Sequence, residues 1–159
     1  MSVEQQNRKY LAALGKAQNY CSKQETCISG IRKKLNQWGV NPAYHERIQK
    51  DLKAEKFIDE TRYASLFVKE KFRLNQWGII KIRQTMKIKQ IPENIINEAI
   101  NIIPDDEYIR MLEKIMSQKL GNIKAGNKFE QKGKLYRYAA SKGYENDKIM
   151  HVINNILGQ

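Results

Sequence analysis

Residues 79–91 read IIKIRQTMKIKQI, and 51 positions earlier residues 28–40 read ISGIRKKLNQWGV. At that offset Ile28 falls on Ile79, Ile31 on Ile82, Arg32 on Arg83, Leu35 on Met86 and Val40 on Ile91. Within each stretch the apolar residues recur at spacings of three and four, which makes one buried stripe on a helix of 3.6 residues per turn. A more conspicuous echo, LNQWGV at 35–40 and LNQWGI at 74–79, suggests an offset of 39 instead. That offset sets Tyr44 on Arg83 and Ile48 on Lys87, so core positions would meet charges. The hexapeptide therefore marks two different junctions of a longer unit. Its glycines, Gly39 and Gly78, are expected to take the left-handed turn that ends one helix before the next begins. Trp38 and Trp77 are expected to pack across these turns, with base stacking as the alternative role.

The unit occurs a third time with drift. An offset of 48 places Arg62 on Arg110, Ala64 on Leu112 and Phe67 on Ile115. An offset of 53 then places Ile82 on Leu135, Ile91 on Tyr144 and Ile96 on Ile149. The difference is an insertion near GNIKAGN, residues 121–127, which has the composition of a loop. The three prolines punctuate the same plan. Asn41-Pro42, Pro92-Glu93 and Pro104-Asp105-Asp106-Glu107 read as helix starts, where proline fits the first turn and acids complement the dipole. No segment shows the alternation of a strand. The expected fold is all-α: three tandem three-helix repeats over about 8–57, 58–104 and 105–157. Each unit buries little on its own and gains by packing on its neighbour, which makes an elongated, curved body.

Composition narrows the function. Of 159 residues, 41% are hydrophobic and 29% charged, the balance of a folded chain. No apolar run is long enough to cross a membrane, and MSVEQQNRKY lacks the apolar centre of a secretory signal. Cys21 and Cys27 read as small reduced core residues of a cytoplasmic protein, because a metal site needs ligands that His45 and His151 are too distant to supply. The formal net charge is +12, unevenly spread. Residues 1–90 hold 19 bases against 8 acids, residues 91–113 one against six, and residues 114–159 nine against three. Two basic stretches around an acidic one point to a polyanionic partner, nucleic acid or a complex containing it. A basic surface that only aids solubility is the plainer alternative.

An enzyme needs convergent groups, and the sequence offers none. Two separated histidines make no dyad, and no glycine-rich phosphate loop is present. Asp105-Asp106-Glu107 follows Pro104 and reads as a helix start rather than a metal site, and Asp59-Glu60 reads as a cap. No enzyme, cofactor or metal is expected. The candidate contact residues are the cations of the middle unit, Arg62, Lys69, Lys71, Arg73, Lys81, Arg83, Lys87 and Lys89. Arg32, Lys33 and Lys34 of the first unit follow, then Lys128, Lys132, Lys134, Arg137 and Lys142 of the third. Arg62 is also placed to bond within its own unit. For each of them a plain solvated face is the alternative.

The stretches FIDETRYASLFVKEKF at 57–72 and WGIIKIRQTMKIKQI at 77–91 resemble the RecX family of recombinase regulators. The resemblance lies in Phe57, Ile58, Asp59, Glu60, Arg62, Tyr63, Ala64, Phe67, Val68, Lys71, Gly78, Ile82, Arg83 and Ile91. One position departs: the family has a glycine before the last apolar residue, and this chain has Gln90. The resemblance implies threefold three-helix architecture and a non-enzymatic regulator of recombination and the SOS response. Such a protein binds the RecA filament on single-stranded DNA, blocks its growth, and lowers its ATPase, strand-exchange and coprotease activities. It would act in the cytoplasm, as a monomer, touching DNA weakly or within the filament. The rival readings are a direct DNA- or RNA-binding helical module working through backbone contacts, and a scaffold for acidic protein partners.

Overall fold

The computed structural model describes residues 1–124 and 126–158. Ala125, inside the expected GNIKAGN loop, lies outside them. All regular structure among the described residues is helical: α1 (Val3–Lys23), α2 (Ile28–Gln37), α3 (His45–Ala54), α4 (Glu60–Arg73), α5 (Ile79–Ile88), α6 (Glu93–Ile100), α7 (Asp105–Asn122), α8 (Lys128–Ser141) and α9 (Asn146–Leu157). A single 3₁₀ turn, Pro42–Tyr44, precedes α3.

Local chemistry sets the boundaries. Ser2 and Gln5 form a reciprocal capping box on α1. Asn41 accepts from the Ala43 amide, Asp59 from Arg62 and Asn127 from Glu130. Pro92 and Pro104 occupy the capping position itself, one residue ahead of the expected first turn. The loop between α7 and α8 is shorter than its composition suggests, because Gly121 and Asn122 remain helical.

The helices pack as three triplets, α1–α3, α4–α6 and α7–α9. Equivalent positions carry equivalent burial. Ile31, Ile82 and Leu135 are fully buried, as are Leu35, Met86 and Ala139. The left-handed residue after each middle helix also repeats, at Gly39 (φ 71°), Gln90 (φ 62°) and Gly143 (φ 97°). Gln90 thus adopts the glycine geometry without being glycine. Gly78 does not: its φ is −80° and it caps α5. The left-handed residue of that junction is Gln76, at φ 60°. Glycine at 78 answers a close approach instead, since a Cβ there would run into the Gly143 carbonyl and the Tyr144 amide.

The two seams differ in kind. Triplets two and three share one apolar core, from Phe67, Phe72 and Ile82 through Tyr108 and Leu112 to Ile149. Two backbone bonds stitch their loops, Gly78 N–H to Lys142 O at 2.8 Å and Ile80 N–H to Gly143 O at 2.9 Å. Helix α7 starts three residues earlier than the register of α4 requires, and the added Asp105–Glu107 lead into Tyr108, stacked on Phe72 at 5.8 Å. Triplet one has its own core around Tyr10, Ile31, Ile48 and Leu52. It meets triplet two largely through polar contacts: Ser29 hydroxyl to Lys89 O at 2.7 Å, Arg32 to Gln90 at 3.2 Å, and Arg62 to Glu25 at 2.7 Å. The accessible surface is 9609 Å². A compact monomer of this mass would expose about 8,200 Å², so the body is elongated.

Candidate functional site

Four side chains from α4 and α5 converge on one aromatic pair in triplet two. Phe67, on α4, meets Trp77, in the α4–α5 junction, edge to face at 6.5 Å. Tyr63, one turn before Phe67, stacks on its other side at 5.9 Å. Lys71, one turn after Phe67, holds its ammonium 5.5 Å from that ring and 5.2 Å from Trp77. Lys81, in the first turn of α5, stands 4.5 Å over Trp77. Lys89, which ends α5, reaches 6.0 Å from Phe67. The ring faces carry negative potential and hold these cations without neutralising them, each for about 0.5–1 kcal/mol. A carboxylate would have discharged them. Among the described residues only Lys71 of the three has an ion pair, a long one of 3.9 Å to the mostly solvated Glu70.

Beside the pair lies an open groove of about 850 Å³, lined by Tyr63, Leu66, Phe67, Lys69, Lys71, Arg73, Leu74 and Lys89 with Gln24, Glu25 and Glu70. Leu66 and Leu74 stand 47% and 78% exposed. Four cations against two carboxylates, Glu25 and Glu70, line it with the apolar residues, so it suits a partner offering both apolar surface and anions.

The structure divides the remaining candidates. Several are consumed internally. Arg73 makes a forked pair to Glu107 at 3.1 and 3.4 Å. Arg83 bonds Glu93 at 2.9 Å and Asn97 at 2.7 Å, and Lys87 lies 3.7 Å from the same Glu93. The acidic segment of the sequence therefore neutralises half of the basic helix face beside it. Arg62 reaches out of its own triplet, contrary to expectation, to Glu25 and to the Lys56 carbonyl at 3.3 Å. Arg32 is spent on Gln90, and Lys142 on the Asn75 carbonyl at 3.0 Å. Lys34 lies over Tyr20 at 5.3 Å, and Lys33 is exposed. In triplet three Lys128 opens α8, while Lys132, Lys134 and Arg137 face grooves along it.

Sequence reasoning missed other cations held on rings. Lys16 stands over Trp38 at 4.7 Å, Arg47 over Tyr10 at 3.9 Å and Lys119 over Tyr138 at 5.1 Å. Each joins residues from different helices, so no local spacing announces it. Trp38 and Trp77 do pack, on Tyr20 and Phe67 respectively. His45 is buried and bonds the Val40 carbonyl at 2.9 Å, a structural tie across the α2–α3 turn. Both cysteines are buried and free. Among the described residues no group of three His, Cys, Asp or Glu could hold a metal ion, and no helix is long and apolar enough to cross a membrane.

Comparison with known proteins agrees with this architecture. Residues 59–100 match the family description "RecX, second three-helix domain" and residues 105–153 match "RecX, third three-helix domain". The Regulatory protein RecX of Clostridium acetobutylicum is 30% identical over 161 residues, spanning 99% of this chain and 73% of that one. That of Clostridium tetani is 31% identical over 150 residues, spanning 93% and 68%. The crystal structure of RecX from Lactobacillus salivarius shares the fold with a TM-score of 0.85 at 19% identity, over 94% of this chain and 97% of that one. A second crystal structure, of a regulatory protein RecX, gives 0.86 at 20% identity, over 96% and 79%.

Proposed function

We propose that this chain, which belongs to the RecX family, regulates a recombinase by lying along the filament that the recombinase forms on single-stranded DNA. On this reading it restrains filament growth and lowers the ATPase, strand-exchange and coprotease activities of RecA. The observation that carries it is the row of Lys71, Lys81 and Lys89 held on Phe67 and Trp77, of which Lys81 and Lys89 take part in no ion pair among the described residues and Lys71 only in a long contact to Glu70. Beside them lies the exposed Leu66–Leu74 edge. Ring contact fixes each ammonium while leaving its charge available, so a partner need not order three mobile side chains. An elongated body with such a face suits a repeating polymer of protein carboxylates and DNA phosphates better than a small molecule.

The test is a recombinase ATPase assay on single-stranded DNA, run beside naked-DNA binding at matched salt. Inhibition at sub-stoichiometric protein with weak naked-DNA binding is expected. Lys71→Glu, Lys81→Glu and Lys89→Glu together should abolish it while helicity is retained. Full inhibition by that variant removes this face from the contact. Tight naked-DNA binding with no effect on the ATPase supports a direct DNA-binding module instead.

A further inference from the structure

A second concentration of positive charge lies away from the aromatic pair, in triplet three. A cleft of about 580 Å³ opens between the end of α7 and the middle of α8. Its lining is Lys119, Asn122, Ile123 and Lys124 from one side and Lys134, Arg137 and Tyr138 from the other. Four cations and no carboxylate face it. Lys119 rests on the Tyr138 ring at 5.1 Å, and Arg137 lies back along α8 against Gly133. None of the four takes part in an ion pair or hydrogen bond among the described residues, unlike Arg73, Arg83 and Lys87 of triplet two.

None of the acids of this region lines the cleft. Glu130 completes the Asn127 cap and lines the neighbouring groove, Glu145 bonds Tyr108, and Asp147 lies in the first turn of α9. Four like charges gathered around a concavity repel one another, and an anion placed among them removes that repulsion. We propose that this α7–α8 cleft is a phosphodiester-binding subsite for a nucleic-acid strand. Arg137 supplies a planar fork that matches two phosphate oxygens, the three lysines supply point charges, and the Tyr138 ring offers a flat wall for a sugar or base. The volume accommodates a nucleotide, within the ordinary range of ligand clefts. Lys134 and Arg137 also line the adjoining groove that continues to Lys132. The cationic lining therefore runs past a single phosphate, which favours a polymer over a free anion.

Binding of a strand here does not require the recombinase, so the test uses the full chain and naked DNA, and its failure leaves the face around Phe67 and Trp77 untouched. Anisotropy of a labelled oligothymidine is followed over a range of sodium chloride concentrations. Neutralising two phosphate contacts on a single strand lowers the slope of log affinity against log salt by about 1.4. That change is expected for Lys124→Gln with Arg137→Gln. The matched control, Lys9→Gln with Lys23→Gln on α1, should keep the wild-type slope, and circular dichroism should show equal helicity for all three proteins. Equal losses in the two double variants, or no loss in either, overturn the proposal. Amide shifts at Asn122 and Tyr138 that saturate with inorganic phosphate as tightly as with the oligonucleotide make the cleft a small-anion site and overturn the strand.

Discussion

The Tyr108 hydroxyl donates to the Glu145 carboxylate and accepts the Ile79 amide at 3.0 Å, so one oxygen ties α7, α9 and α5 together at the seam of triplets two and three. The ring is buried between Phe72 and Tyr144. Tyr108→Phe keeps this packing but strands a partly buried amide and a carboxylate. We expect a loss of about 2 kcal/mol, a fall of roughly 4–8 °C in Tm for a chain of this size. Calorimetry checks it, and an unchanged Tm would mean that water replaces the hydroxyl without penalty.

The seam should also separate two glycines that the sequence makes look alike. Gly39→Ala meets open space, and its penalty is that of alanine at φ 71°, about 1–2 kcal/mol. Gly78→Ala has an ordinary φ, yet its methyl group enters the backbone of Gly143 and Tyr144. Overpacking against main chain at a seam costs about 3 kcal/mol. Urea melts of the two variants should therefore rank Gly78→Ala as the more damaging. The reverse order would show that the loops part easily.

Gln90 holds a left-handed conformation that glycine occupies in the other two triplets. Gln90→Gly removes steric strain of about 1 kcal/mol and gives up one exposed bond from Arg32. The variant should be as stable as the parent or up to about 1 kcal/mol more so, measured by the denaturant midpoint. A clear loss would show that the Arg32–Gln90 contact between triplets one and two matters more than backbone strain.

Burial, and then the hydrogen bond to Asp51, push the Tyr10 hydroxyl up to about 12 from its ordinary 10.0. Burial raises Tyr63 likewise to about 12 and the Cys21 thiol from 9.0 to about 11. Tyr108 and Tyr144 are raised further, again chiefly by burial. These groups are favoured neutral in the folded chain, so the stability they confer is complete below the unfolded values. It is lost as pH climbs through the folded ones. Stability should therefore decline from about pH 9 for Cys21 and between pH 10 and 12 for Tyr10 and Tyr63. Tyr10→Phe should make the tyrosine part of that decline shallower. Ultraviolet titration should show late-ionising tyrosines in the native protein, and eight tyrosines titrating together near 10.0 would contradict the burial argument.

The amino-acid sequence determined what depends on neighbours along the chain. Helical spacing placed Ile31, Ile82 and Leu135 in equivalent core positions, Asp59 and Asn41 in caps, and Gly39 in a left-handed turn. Each follows from helix periodicity or from backbone donors within three residues. Which lysines and arginines retain their charge was decided only by the tertiary structure. Lys81 and Arg83 sit two residues apart, yet one rests on Trp77 and the other is paired with the Glu93 carboxylate and donates to Asn97. Gly78 likewise meets a backbone 65 residues away, not a turn of its own. Charge and composition are properties of the chain, but neutralisation and close approach depend on which helices the packed core sets side by side.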